Sequence, residues 1–160
     1  MSLTLVALSD RLDLLPTVAK WVYEQWWSHL PEHSAESLAE MLKERRALDH
    51  IYESFVALRD SVPVGTATVL DHDIDTDRWP DLTPWLAAVY VIPEARRQGI
   101  GEQLVSKVTE IARAKGFDTL YLWTTDQRNW YERLGWQLLE QFDKNGTLVS
   151  LLKFERAAPN

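Results

Sequence analysis

Two short stretches hold residues whose types and spacing could do chemistry. The first is Arg96-Arg97-Gln98-Gly99-Ile100-Gly101. Upstream lies the apolar run Trp85-Leu86-Ala87-Ala88-Val89-Tyr90-Val91-Ile92, which predicts a buried strand ended by Pro93. Downstream, Leu104, Val105, Val108, Ile111 and Ala112 recur at helical spacing. A strand feeding a glycine-rich turn that opens a helix offers free backbone N–H groups to an anion such as phosphate. Arg96 and Arg97 add cationic donors. The turn is too short for a dinucleotide fingerprint, and no lysine–hydroxyl pair follows as a P-loop requires. A tight turn with glycines for packing alone reads the same way.

The second stretch is Trp130-Tyr131-Glu132-Arg133-Leu134-Gly135-Trp136. On a helix, Trp130 and Leu134 are four apart and can face the core, which turns Tyr131 to a different face. A phenol with an ordinary pKa of about 10 can protonate a leaving thiolate, whose thiol has a pKa of about 8.5. A tyrosine packed at a helix–sheet junction is the plainer reading.

The surrounding elements must position these residues. Residues 3–7 alternate as a short strand. A helix capped by Ser9-Asp10 is expected to run through Leu15, Val18, Ala19, Val22 and Trp26, with Pro16 near its first turn. The aromatic segment 25–33 breaks the pattern and holds His29 and His33. A second helix begins near Ser34, with Leu38, Met41, Leu42 and Leu48 as its stripe. Strands 55–58 and 62–70 form a hairpin, with Pro63 and Gly65 marking an edge or a bulge. After an acidic loop come the central strand, the glycine turn and the long helix, which Gly116 ends. A strand at 119–123, a short helix at 127–134 and strands 136–142 and 147–154 complete the chain, the last two joined by Asn145-Gly146. The expected order is β-α-α-β-β-β-α-β-α-β-β, one mixed α/β domain over residues 1–156 with a loose tail at 157–160.

With 160 residues, 46% hydrophobic and 26% charged, the chain can bury a substantial core. A formal charge of −7 argues against nucleic-acid binding. The absence of cysteine excludes thiolate chemistry and disulfides. The N-terminal residues lack a basic start and a long apolar run, so no signal peptide or membrane partner is expected and the default location is cytoplasmic. Eight tryptophans exceed what a core needs and suggest aromatic walls; exposed ones would suit a homodimer.

Taken together, the two stretches resemble the GNAT superfamily of acyl-CoA-dependent N-acetyltransferases. Residues 91–101 look like its acyl-CoA motif, Q/R-x-x-G-x-G/A, at Arg96, Gly99 and Gly101. Residues 130–136 look like its F-Y-E-K-L-G-F stretch. The resemblance implies an α+β fold with a mixed, mostly antiparallel sheet of about seven strands flanked by about four helices. It implies acetyl-CoA as co-substrate and no metal. Backbone of Val89, Tyr90 and Val91 would pair with the pantetheine arm. Arg96, Arg97, Gln98, Gly99, Ile100 and Gly101 would hold the pyrophosphate. An N–H near a bulge at Ala88 would polarise the thioester carbonyl, and Tyr131 would be the general acid. Many members carry an Asn seven residues before that Tyr, touching the cofactor; here the position is Thr124.

An attacking amine must lose a proton. His29, His33, His72, Asp71 and Glu24 are candidates by type, and His72 ranks first because its hairpin strand should end beside the reactive end of the central strand. Asp71, Asp73 and Asp75 begin like a calcium loop, but Thr76 and Leu82 stand where Gly and Glu belong, so no metal site is expected. The acidic loop reads as a solvated loop or as a rim, including Asp71, that attracts a cationic amine. Trp26, Trp27 and His29 could form the opposite wall. The expected activity is transfer of an acetyl group from acetyl-CoA to a small cationic amine or a peptide N-terminus, by direct attack in a ternary complex. The alternative is a non-catalytic acyl-CoA-binding regulatory module.

Overall fold

The computed structural model describes residues 2–48, 51–73 and 78–155, and only the backbone at 45–48. The expected tail, Asp75, Thr76 and the Leu48 side chain therefore lie outside the described residues. The elements run β1 (Leu3–Ala7), α1 (Leu15–Val22), α2 (Ala35–Leu48), β2 (Tyr52–Arg59), β3 (Val62–Leu70), β4 (Trp85–Val91), α3 (Ile100–Ala114), β5 (Thr119–Thr124), α4 (Arg128–Arg133), β6 (Gln137–Lys144) and β7 (Thr147–Glu155). Seven strands form one sheet in the order β1-β2-β3-β4-β5-β7-β6. All neighbours are antiparallel except β4 and β5. Among the described residues no helix is long and apolar enough to cross a membrane.

Strand alternation explains why β2 and β3 read as nearly continuous apolar runs: they are buried on both faces. Phe55 and Ala57 join Val64, Leu86 and Leu122 under Leu104, Val105 and Val108 of α3. Val56 and Leu58 point the other way, against Leu15, Val18 and Val22 of α1 and Leu38 of α2. On that second face, Leu70, Trp79, Trp85 and Leu151 make a separate aromatic cluster. The two clusters on this face lie at different ends of the sheet, and a cavity opens between them.

β3 is an internal strand, so Pro63 and Gly65 mark no edge. They sit at a register shift opposite Ala57 and Leu58. A Cβ at Gly65 would lie 2.9 Å from the Tyr90 carbonyl oxygen, so the glycine lets β3 and β4 approach.

The helix expected from Ser9 is corrected. Residues 8–10 and 12–14 are two short 3-10 turns without side-chain caps, and α1 starts only at Leu15. Pro16 imposes this start: its ring is tolerated in a first turn, but further in it would clash with the carbonyl four residues back. Beyond Val22 the helix widens into a π-helical turn, Tyr23–Trp27. Such turns carry one extra residue per turn and re-aim the side chains that follow. Here they include Trp26 and Trp27.

Candidate active site

The site begins where β4 and β5 part. They pair in parallel only at Trp85 and Tyr121, with the Tyr121 N–H donating to the Pro84 carbonyl at 3.0 Å. Beyond that point the strands diverge. Between them lies a cavity of about 1470 Å³, which Val89, Tyr90 and Val91 line from one side and Leu122, Trp123 and Thr124 from the other. A strand edge left without a neighbour offers its N–H and C=O groups to an extended ligand.

β4 is bulged at the cavity. Thr66 opposes Tyr90 and Thr68 opposes Ala87, so Ala88 and Val89 share the single remaining residue of β3. Ala88 takes a φ of 55°, a left-handed conformation unusual for a residue with a Cβ. Holding it there costs about 1–2 kcal/mol. The bulge breaks the ladder with β3 and turns local backbone out of its regular pairing.

At the α3 end, Arg97 and Gly99 also have positive φ, 64° and 80°. Gly99 caps α3 without a side-chain hydrogen bond. The helix closes its first turn with Gln103 N–H donating to the Gly99 carbonyl at 3.1 Å. The amides of Ile100, Gly101 and Glu102 therefore have no partner inside the helix and carry its positive dipole end. The two glycines serve different ends. At Gly99 the left-handed conformation favours glycine. At Gly101 a Cβ would meet the Trp130 ring at 3.2 Å, so that glycine lets α4 pack on α3.

Of the basic turn, Arg96 and Arg97 line the cavity. The Arg96 side chain folds back, its Nε donating to the Val91 carbonyl at 2.8 Å. Gln98 is exposed and does not line it. Its side-chain oxygen accepts from Arg59 at 2.5 Å.

Tyr131 lines the same cavity. Trp130 and Leu134 pack on the core as expected, half-buried, but Tyr131 does not turn to another face: it is itself the buried residue of α4, 8% exposed, within the core cluster. The Trp130 and Trp136 rings stand edge-on to Tyr131 at 4.8 and 5.9 Å. Burial pushes the phenol above its ordinary pKa, and the charge of Asp126 pushes it further. The group stays protonated through and well beyond neutral pH.

Thr124 is nearly buried at the mouth of the β5–α4 connection. Its hydroxyl oxygen accepts from the backbone N–H groups of Gln127 at 3.1 Å and Asp126 at 3.4 Å. Gln127 in turn accepts the Tyr131 N–H at 3.1 Å. Both lone pairs of this hydroxyl are thus spent on the turn that leads into α4, leaving only its proton to donate.

The opposite part of the cavity lies on the α1/α2 face of the sheet. Trp26, Trp27 and His29 line it, as the aromatic segment suggested. Asp71 and His72 do not; His72 is exposed, and Asp71 serves the loop through its backbone, its carbonyl accepting from Thr83 at 2.8 Å. Asp73 lines the cavity instead. Several lining residues escaped sequence reasoning: Ser54 and Thr68, whose buried hydroxyls are 2.7 Å apart, and Met41, Leu42, Tyr52 and Trp123. The hydroxyls carried a signal, since a polar residue inside an otherwise apolar, doubly buried strand needs a partner or a cavity.

The Acetyltransferase (GNAT) family model matches residues 18–136. The chain belongs to the GNAT family of acetyltransferases. It is similar to the thialysine N-epsilon-acetyltransferase of Bos taurus, 37% identical over 67 residues that make up 39% of each chain. It is also similar to the amino-acid acetyltransferase of Edwardsiella ictaluri, 29% identical over 99 residues, 61% of this chain and 21% of that one. The chain thus spans well under half the length of these curated relatives. Its fold matches the PaiA N-acetyltransferase of Thermoplasma acidophilum, solved in complex with coenzyme A, at a TM-score of 0.64, with 18% identity over 97% of this chain and 99% of that one.

Proposed function

We propose that this chain, as one catalytic domain over residues 1–156, transfers an acetyl group from acetyl-CoA to a primary amine by direct attack in a ternary complex. The observation that carries the reading is the meeting of three features on one cavity: the open β4 edge with its bulge at Ala88, the unpartnered amides that start α3, and the buried phenol of Tyr131.

Each feature meets one need of the reaction. The pantetheine amides would pair along Val89, Tyr90 and Val91 as an added strand. The pyrophosphate would sit on the amides of Gly99, Ile100 and Gly101, with Arg96 and Arg97 beside it. The acceptor nitrogen would attack the thioester carbon, and the resulting oxyanion would accept a hydrogen bond from backbone at the bulge. Collapse forms the amide and breaks the C–S bond, and Tyr131 would give its proton to the departing thiolate. A raised phenol pKa serves that step, because the group is never lost to ionisation at working pH. The proton released by the amine would leave by a separate route, for which His29 is the histidine among the described residues that lines the cavity.

The test is release of free thiol from acetyl-CoA over a panel of amines. Amine-dependent release is expected. If coenzyme A binds yet no amine raises release above hydrolysis, the transfer reading is wrong.

A further inference from the structure

The α1/α2 face of the sheet carries one feature that the donor site does not use. Phe55, Ala57, Ala67 and Val69 point to the α3 side, so by strand alternation Ser54 and Thr68 point to the α1/α2 side. There they interrupt an apolar surface. Val56 belongs to the cluster under α1 and α2, and Leu70 to the aromatic cluster around Trp85. Ser54 and Thr68 fall between the two clusters, where the cavity opens, and both line it. Both residues are buried, with their hydroxyls 2.7 Å apart. Neither hydroxyl makes a further hydrogen bond among the described residues. Thr66, two residues earlier on the same face, shows the ordinary arrangement. Its hydroxyl donates to the Phe55 carbonyl at 2.9 Å, and it does not line the cavity. Two hydroxyls that share one bond keep one proton and several lone pairs unspent. A buried strand surface bears that surplus at a cost unless the occupant of the cavity takes it up.

The pair sits beside the bulge. Thr68 stands directly opposite Ala87, and the left-handed residue Ala88 follows. Residues paired in this way have Cα atoms about 4.5–5.5 Å apart. The bulge turns both alanines to the same face: Ala87 packs with the Trp85 cluster and Ala88 with the α1 cluster. Both line the cavity, and their methyl side chains leave room over the bulge. From this placement we infer that the Ser54–Thr68 hydroxyl pair seats the attacking amine, with Thr68 in contact and Ser54 behind it. The inference rests on the acetyl-transfer reading and assigns that reaction a further residue. Either hydroxyl can donate to the other. With the amine bound, Thr68 donates to Ser54, and the Thr68 oxygen accepts one amine N–H. That fixes the nitrogen with its lone pair turned from Thr68 towards the thioester carbon. As the N–C bond forms, the nitrogen gains positive charge and keeps its hydrogens until the proton departs. Its bond to the Thr68 oxygen therefore strengthens. An interaction stronger in the transition state than in the ground state raises kcat.

The experiment uses the full chain with saturating acetyl-CoA and, as acceptors, ethylamine, 2-phenylethylamine, lysine, glutamate and a serine-initiated peptide. Steady-state kinetics are followed on those that turn over. Thr68→Val keeps the side chain's shape but strands the Ser54 hydroxyl. The decisive variant is therefore Ser54→Ala combined with Thr68→Val, which leaves no orphaned group. It should lower kcat/KM for the amine by about ten- to a hundredfold, mostly in kcat, the worth of one hydrogen bond to a charged group. Its circular dichroism spectrum and its calorimetric Kd for coenzyme A should match the parent's. Thr68→Ser should keep most of the parent's kcat. An unchanged amine kcat/KM in the double variant overturns the inference and leaves acetyl transfer intact. A rate loss matched by an equal weakening of coenzyme A binding overturns it too, because the pair would then be a structural support for the bulge. No turnover of any amine by the parent, while coenzyme A binds, overturns acetyl transfer and this inference with it.

Discussion

Replacing Thr124 with Val tests whether the β5–α4 connection positions the proton donor. Valine keeps the shape of threonine and deletes only the hydroxyl. Two backbone N–H groups, of Gln127 at 3.1 Å and Asp126 at 3.4 Å, lose their acceptor. Each such bond is worth about 0.5–1.5 kcal/mol net. The longer one belongs at the low end, and both residues are exposed enough for water to take over part of the loss. The sum is about 1–2 kcal/mol of stability, or roughly 3–6 °C in Tm for a chain of this size. The kinetic effect should be larger than the stability effect. The freed turn carries α4, and displacement of a reacting group by an ångström can cost about a hundredfold. The expected phenotype is a kcat lowered by about ten- to a hundredfold, with the KM for acetyl-CoA nearly unchanged and Thr124→Ser close to the parent. Steady-state kinetics with varied acetyl-CoA, paired with a thermal melt, reads both effects. The opposite split, a raised KM or coenzyme A Kd with kcat intact, would refute the reasoning. It would mean that the hydroxyl serves the cofactor, as the Asn of many GNAT members does.

Three further outcomes are expected. Tyr131→Phe should lower kcat by about 10²–10⁴-fold at neutral pH, the usual worth of a positioned proton donor, with the coenzyme A Kd preserved; an unchanged rate would remove Tyr131 from the mechanism. The same residue sets a pH dependence. Its folded pKa is raised above the unfolded value of about 10, so the folded state holds a proton that the unfolded chain releases. Its contribution to stability is therefore complete below about pH 10 and declines as pH rises further, so denaturant melts at pH 9 and 11 should show a larger loss in the parent than in Tyr131→Phe. Gly99→Asp should abolish coenzyme A binding by calorimetry while the circular dichroism spectrum is kept, because a carboxylate would stand at the start of α3 where an anion is to bind; retained affinity would dismiss the pyrophosphate site. Gly65→Ala should cost about 1–3 kcal/mol, since the new Cβ meets the Tyr90 carbonyl oxygen at 2.9 Å and β4 must shift to admit it; an unchanged Tm would show that β4 yields freely.

Local chemistry in the chain determined most of the elements and the turn that opens α3 beside the cavity. Periodicity marked the seven strands and four helices, because doubly buried strands and amphipathic helices write their environment into their residues. The start of α3 followed from the glycine turn, since helix ends depend on residues close in sequence; the bulge at Ala88 and a role for Tyr131 came only with the family resemblance that two short motifs carry. Nothing local could say where α1 ends, since the π-helical turn at Tyr23–Trp27 leaves no mark on the residue pattern. Nor could a motif tell which residues of a loop turn inward. Gln98 sits inside the basic turn yet reaches Arg59, and Asp71 and His72 stay out of the cavity that Asp73 enters.

Beyond the aromatic segment that holds Trp26, Trp27 and His29, the α1/α2 half of the cavity was decided by tertiary structure. Its residues come from a helical turn, a second helix, two strands of a hairpin and β5, separated by up to about a hundred positions along the chain. Ser54 and Thr68 meet only because β2 and β3 pair in one register, and Trp123 joins them only because β4 and β5 part after a single residue pair. A cofactor that binds backbone leaves its signature in consecutive residues. Side chains gathered from distant strands leave only scattered traces until the sheet has formed.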